Sequence, residues 1–290
     1  MTYAAAPEAY FFPSDEVEAK RLNLQHWALG NIWWNGESQL YAPLDLTTSS
    51  EEKPLHILDA GCGTGIWSME LAEHCSEDTT FTLLDTNIGN CRSTYPSLPA
   101  NVKAQSFDLL KDFASHTEWV DHFDLVHQRL MLSVFTMGQW RQVLQDLFKV
   151  LKPGGYLQLL EFDIANVEFR RWAEYALMWT RKFAEQRGIN IDIVQDLPTL
   201  LTETGFVVVQ RESRNPRYAQ NHTKEPVPHA GARWYVDTMG GSVVRKGHEL
   251  GLIGDDDFNN HQAGIREEAQ TYSDNDKVPA VMIVARKPLA

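Results

Sequence analysis

Apolar positions along the chain keep two rhythms. Val17, Arg21, Leu24 and Ala28 fall at helical spacing after Pro13-Ser14-Asp15-Glu16, where Ser14 can cap free N–H groups and the acids suit the positive end of the helix dipole. Gly30 is expected to end that helix, with Trp33, Trp34 and Tyr41 following in a loop closed by Pro43. From about residue 54, strand-length apolar runs alternate with amphipathic ones. The runs cover 55–60, 81–85, 102–107 and 123–127. Trp140, Val143, Leu144, Leu147 and Leu151 form a helical stripe, which Lys152-Pro153-Gly154-Gly155 should stop before a strand over 156–162. Trp172, Ala176, Trp179 and Phe183 mark one face of a longer helix, and a further helix ends near Gly205 before a strand over 206–210. This alternation predicts a parallel sheet covered on both faces. The remainder starts irregular around Pro216, Pro226 and Pro228, then reads as a helix over 255–270 and a final strand over 278–286. If that strand pairs with 206–210, nearly seventy residues separate the two partners, and a connection that long is usually functional.

Composition narrows the setting. With 43% hydrophobic residues among 290, the chain can bury a sizeable core, which excludes a disordered or fibrous protein. Lys and Arg number 26 against 39 Asp and Glu, a net charge of −13. The positive charges are scattered, so no nucleic-acid or anionic-membrane partner is expected. The longest apolar run, 280–285, falls far short of the roughly 20 residues that span a bilayer. No basic residue precedes Lys20, so the charged start of a secretory signal is lacking. Cys62, Cys75 and Cys91 are odd in number and lack metal-ligand spacing, which suggests reduced thiols and no metal. A soluble, cytoplasmic protein is expected. The acid clusters Asp255–Asp257 and Glu267-Glu268 read as solvated faces.

The chemistry concentrates in Ile57-Leu58-Asp59-Ala60-Gly61-Cys62-Gly63-Thr64-Gly65. A strand entering a glycine turn and then a helix brings bare backbone N–H groups and a positive helix end close to a ligand. Asp85 lies 24 residues after Gly61 at the end of the next strand, placed to hold two ribose hydroxyls. The constellation predicts an adenosine-containing ligand. Dinucleotide folds favour G-x-G-x-x-G, whereas Ile66 stands where that last glycine would be. Asp59, two residues before the first glycine, suits an ammonium better than a pyrophosphate. No H-E-x-x-H, G-x-S-x-G or G-x-x-x-x-G-K-[ST] motif is present.

These segments resemble class I S-adenosylmethionine-dependent methyltransferases. Residues 58–65 are similar to the family's first motif, Asp85 to its ribose-binding acid and Phe107-Asp108 to its adenine-edge motif. Phe123-Asp124-Leu125-Val126 resembles the fourth strand, and Leu151-Lys152-Pro153-Gly154-Gly155 the turn before the fifth. Tyr10-Phe11-Phe12-Pro13-Ser14-Asp15, Arg21-Leu22-Asn23-Leu24-Gln25-His26 and Tyr41-Ala42-Pro43-Leu44 resemble, more narrowly, the fungal LaeA-like or TAM-domain methyltransferases, many of them tied to secondary metabolism.

The resemblance implies a Rossmann-like α/β sandwich with a seven-stranded, mostly parallel sheet. Its expected parts are an N-terminal helical cap (1–53), an S-adenosylmethionine-binding core (54–217), a substrate-lid insertion (218–277) and a final core strand (278–290). It implies cofactor contacts from Asp59, Gly61, Cys62, Gly63, Asp85, Thr86, Asn87, Phe107, Asp108, Leu109 and Gln128. His127, His26 and His229 are candidate general bases. Trp33, Trp34, Arg129, Trp234 and Tyr235 are candidate acceptor-site residues. The expected activity is methyl transfer from S-adenosylmethionine, leaving S-adenosylhomocysteine, to an O, N or S atom of a small molecule. Two alternatives stand beside it: a cofactor-binding regulator without turnover, which would allow a nuclear location, and an NAD-dependent oxidoreductase.

Overall fold

The computed structural model describes residues 16–33, 39–168, 170–215, 238, 242–271 and 278–289. An opening helix, α1 (Glu16–Trp33), leads to β1 (His56–Ala60), α2 (Ile66–Ala72), β2 (Thr80–Asp85), α3 (Gly89–Thr94) and β3 (Val102–Ser106). Next come β4 (Phe123–Arg129), α4 (Met137–Val150), β5 (Leu151–Phe162), α5 (Arg171–Gln186), α6 (Leu197–Thr204), β6 (Val207–Arg214) and, after the late insertion, β7 (Ala280–Arg286). The strands form one seven-stranded sheet in the order β3-β2-β1-β4-β5-β7-β6. β1 to β5 run parallel, and β7 runs antiparallel between β5 and β6.

Central strands are apolar on both faces because helices cover both faces. Ile57, Leu58 and Ala60 of β1 and Leu125 and Val126 of β4 are fully buried, as a doubly covered parallel sheet requires. α4 begins with a capping box, Thr136 and Gln139 each bonding the other's backbone N–H, and buries its stripe of Trp140, Val143, Leu144 and Leu147. A second, smaller core joins Ala176, Trp179 and Phe183 of α5 to Val243, Val244 and Ile253 of the insertion.

Two boundaries and one burial differ from the sequence reading. α1 runs through Gly30 to Trp33, since a helical glycine costs only about 1 kcal/mol and the helix packs against α2 and α3. Pro153, Gly154 and Gly155 do not separate α4 from its strand. They lie inside β5, whose pairing with β4 shifts register between Phe123 and Leu125. Glu268 is not on a solvated face. It is buried and accepts from the backbone N–H of Trp172 (2.8 Å) and Ala173 (3.1 Å), satisfying free donors at the start of α5. That cap fastens the helix Asp255–Ala269 to α5.

Candidate functional site

β1, β4 and β5 set three polar side chains abreast. Asp59 pairs with His127, and His127 with Gln158. Asp59 is buried and takes a hydrogen bond from Ser68 Oγ of α2 at 2.7 Å on Oδ2, while Oδ1 has no partner among the described residues. Burial, only partly offset by Ser68 and Arg129, pushes its carboxyl up to about 6. The site therefore holds a buried carboxylate whose burial Arg129 only partly compensates.

The glycine turn has left-handed backbone at Gly61 (φ 82°), Gly63 (φ 58°) and Gly65 (φ 76°), which side chains resist. The three glycines serve different ends. A Cβ at Gly65 would stand 2.9 Å from Leu83 Cδ2 and 3.1 Å from Cys91 Sγ, so that glycine lets α2 pack on β2. Gly61 and Gly63 face Met131 and Leu22. The expected bare N–H groups are not bare. Gly61 and Cys62 donate to Leu84 O at 2.8 and 2.9 Å, and Gly63 donates to Asp85 Oδ2 at 2.8 Å. Strand β2 terminates there, and its penultimate carbonyl (Leu84) and terminal carboxylate (Asp85) take up these donors. Cys62 is buried, which raises its thiol pKa.

Asp85 also accepts from Asn87 N on Oδ1 at 2.8 Å, and Thr86 between them is exposed. Each carboxylate oxygen keeps a further lone pair. Burial raises the Asp85 pKa against the opposing pull of both N–H groups. On the next loop Phe107 packs inward, edge-on to Phe113 (4.9 Å) and stacked at 5.5 Å on Trp119. Leu109 is buried, and Asp108 accepts from Leu110 N and Lys111 Nζ.

α1 lies over this turn. Thr64 donates to Asn23 Oδ1 at 2.7 Å, and Glu18 and Arg21 form a buried ion pair on the same helix. Arg21 also reaches Thr238 of the late insertion at 3.5 Å. His26 is a hub. Its Nε2 meets Glu70 Oε2 at 2.8 Å and the Gln39 amide at 2.7 Å, while its Nδ1 meets Arg129 Nη1 at 2.9 Å. Glu70 only accepts and Arg129 only donates, which favours the tautomer with N–H on Nε2. Arg129 reaches Gln39 Oε1 as well, at 3.3 Å. Burial, which outweighs the pull of Glu70, lowers the His26 pKa to about 4, leaving it neutral.

Gln158 accepts from Tyr41 N and Ala42 N and donates to Gln39 O, which also receives Trp67 Nε1–H. These bonds tie the segment around Tyr41-Ala42-Pro43 onto the sheet. His127 is buried with its ring stacked 3.7 Å from Trp67. Its Nδ1 faces the Gln158 amide at 3.2 Å, and Nε2 has no partner among the described residues. Burial first, then Arg129 and His26, hold its pKa well below the usual histidine range. Gln128 points to the opposite face of the sheet, fully buried, its amide without a partner among the described residues.

Geometry of this kind can hold a ligand carrying an ammonium near Asp59 and a diol near Asp85. A family model described as a methyltransferase domain matches residues 37–211. The chain belongs to the methyltransferase-domain family. The seven-stranded sheet agrees with the class I resemblance.

The chain is 30% identical to the N-methyltransferase verN of Clonostachys rogersoniana, over 81% of this chain and 78% of that one. It is 29% identical to the secondary metabolism regulator LAE1 of Gibberella fujikuroi, over 71% of this chain and 63% of LAE1. The chain thus spans less than two thirds of the length of that regulator. Among solved structures, phosphoethanolamine N-methyltransferase 2 of Haemonchus contortus, in complex with S-adenosyl-L-methionine, shares the fold. Its TM-score is 0.51 at 14% identity, covering 97% of this chain and 54% of that one.

Of the residues singled out in sequence, the structure brings together Asp59, Gly61, Cys62, Gly63, Asp85, Asn87, His127, Arg129 and His26. Trp33 ends α1, its side chain outside the described residues; Trp34, His229, Trp234 and Tyr235 also lie outside them. Sequence reasoning missed Ser68, Glu70, Gln158 and Glu161. Gln158 and Glu161 did leave a signal, as polar residues inside an otherwise apolar strand.

Proposed function

We propose that this methyltransferase transfers the methyl group of S-adenosylmethionine to an O, N or S atom of a small molecule, of the secondary-metabolite kind. The carrying observation is the join between turn and β2, where the Asp85 carboxylate sits bonded to Gly63 N with lone pairs to spare. The cofactor fits the residues present. Asp59 would face its ammonium, Asp85 and Asn87 its ribose, Phe107, Asp108 and Leu109 its adenine, and Gly61, Cys62 and Gly63 its methionine portion. Gln128, expected there from the sequence, is buried on the opposite face of the sheet and is left out of the site.

S-adenosylmethionine supplies an electrophilic methyl group on a sulfonium, so the protein's task is chiefly alignment. His26 and His127 are poor proton acceptors: both are buried and neutral, and the accepting nitrogen of His26 is held by Arg129. They support structure in this reading, His26 as the latch of α1 and His127 as the partner of Trp67. A base for a hydroxyl acceptor would come from elsewhere, with His229 as one candidate. Arg129, its Nη1 shared between His26 and Gln39, serves closure of the N-terminal segment before any contact with the acceptor.

Kinship with LAE1 favours a second reading, a regulator that binds the cofactor without small-molecule turnover. Titration calorimetry with S-adenosylhomocysteine tests the cofactor, and a screen of O-, N- and S-acceptors with methyl-labelled cofactor tests turnover. Asp85→Ala should weaken binding about tenfold or more, since hydrogen bonds to a charged group are worth about 1.5–3 kcal/mol. Wild-type protein that ignores S-adenosylhomocysteine would sink the proposal. Binding with no acceptor methylated would favour the regulator.

A further inference from the structure

We propose that Glu161 is a positioning residue of the methyl-transfer site, a clamp whose carboxylate fixes the loop leaving β4 and thereby seats Met131 against the glycine turn. This rests on the reading of that turn as the cofactor site.

Glu161 stands one residue before the end of β5 and is only 1% exposed. Its two oxygens divide the labour: Oε1 accepts from Met131 N at 2.7 Å and Oε2 from Leu132 N at 3.1 Å. The residue before this pair, Leu130, has φ 56°, a left-handed backbone that costs a leucine roughly 1–2 kcal/mol. A conformation of that cost persists only where its surroundings hold it. Here Leu130 N is tied to Leu160 O at 2.9 Å and the next two N–H groups to Glu161.

The loop so held ends against the site. Met131 Sδ lies 3.1 Å, and its methyl carbon 3.4 Å, from where a Cβ on Gly61 would stand, so Met131 rests on the first glycine of the turn. Arg129, on the other side of Leu130, is anchored to His26. The exit of β4 is thus gripped from both faces of the sheet, by the Arg129–His26 pair on one and Glu161 on the other.

Nothing in the apolar core asks for a charge at Glu161. Burial drives its carboxyl up to about 8 despite both N–H donors. The group is therefore chiefly the neutral acid below that pH, and ionising it above that pH without a cation is a cost to folding. What it supplies, and a leucine could not, is a pair of acceptors spaced for two successive N–H groups.

The test combines three readouts on the intact chain: S-adenosylhomocysteine affinity, melting temperature and amide exchange across 130–136. Glu161→Gln keeps the shape but turns one acceptor into a donor facing an N–H. It should weaken S-adenosylhomocysteine binding about tenfold, speed exchange across that loop, and leave the melting temperature unchanged or higher. Met131→Ala should weaken binding on its own, and Glu161→Gln should then add little to it, because both act through one contact. Should Glu161→Gln fold poorly, Glu161→Asp carries the same test by withdrawing the carboxylate one methylene. Wild-type affinity in these variants, additive effects in the double variant, or collapsed melting in both carboxylate variants would overturn the clamp. Wild-type protein that binds no S-adenosylhomocysteine would overturn the cofactor reading and the clamp with it; a binding wild type isolates the clamp.

Discussion

Replacing Asp59 by asparagine separates what the fold prefers from what the cofactor requires. Asp59 is 3% exposed and moves from an ordinary value of 3.8 to about 6, chiefly through burial. Two pH units at about 1.36 kcal/mol each set the scale at ~3 kcal/mol. Because the folded pKa is the higher one, the folded state holds this proton more tightly. That stability is fully present below about pH 4 and is lost as pH rises to about 6. Above pH 6 the ionised Asp59 costs the protein ~3 kcal/mol, a cost that Asp59→Asn does not bear. Denaturant unfolding at a series of pH values should show the variant more stable by up to that amount at pH 8. The gap should close between pH 6 and 4; taking the difference between two proteins cancels the other titrations. S-adenosylhomocysteine affinity should move oppositely, falling about tenfold as the charged partner of the ammonium is lost. A variant no more stable than wild type at pH 8, or a gap that ignores pH, would refute the reasoning. Raised stability with unaltered binding would leave Asp59 buried but unrelated to the cofactor.

Gly65→Ala should cost roughly 1–3 kcal/mol in unfolding free energy, because it combines left-handed backbone with a close approach to Leu83 and Cys91. S-adenosylhomocysteine affinity of the folded fraction should change little, and a selective loss of binding would move this glycine from packing to ligand contact. Arg129→Ala removes the Nη1 donor and leaves His26 Nδ1 a buried acceptor without its bond, at a cost of roughly 1–3 kcal/mol. Limited proteolysis should then cut α1 faster than the sheet, whereas uniform protection would show that the N-terminal segment is held by other contacts.

Sequence by itself determined the layered architecture. Alternating apolar runs and stripes specify a doubly covered parallel sheet, because buried strands are apolar on both sides and helices on one. The glycine turn and the acid at the end of β2 were equally legible, since each is local: left-handed backbone demands glycine, and a strand end places its last side chain by period alone. Glu161 and Gln158 showed only as polar residues inside an apolar strand, with no sign of what they grip. Tertiary structure decided those partners. Met131 N meets Glu161 across 30 residues, and Arg129 meets His26 across 103. It also decided that the N–H groups of Gly61, Cys62 and Gly63 are spent on Leu84 and Asp85, and that Glu268 caps α5 instead of facing water. A hydrogen bond between distant segments depends on where the chain returns, and that follows from sheet order and helix packing, which no local pattern encodes.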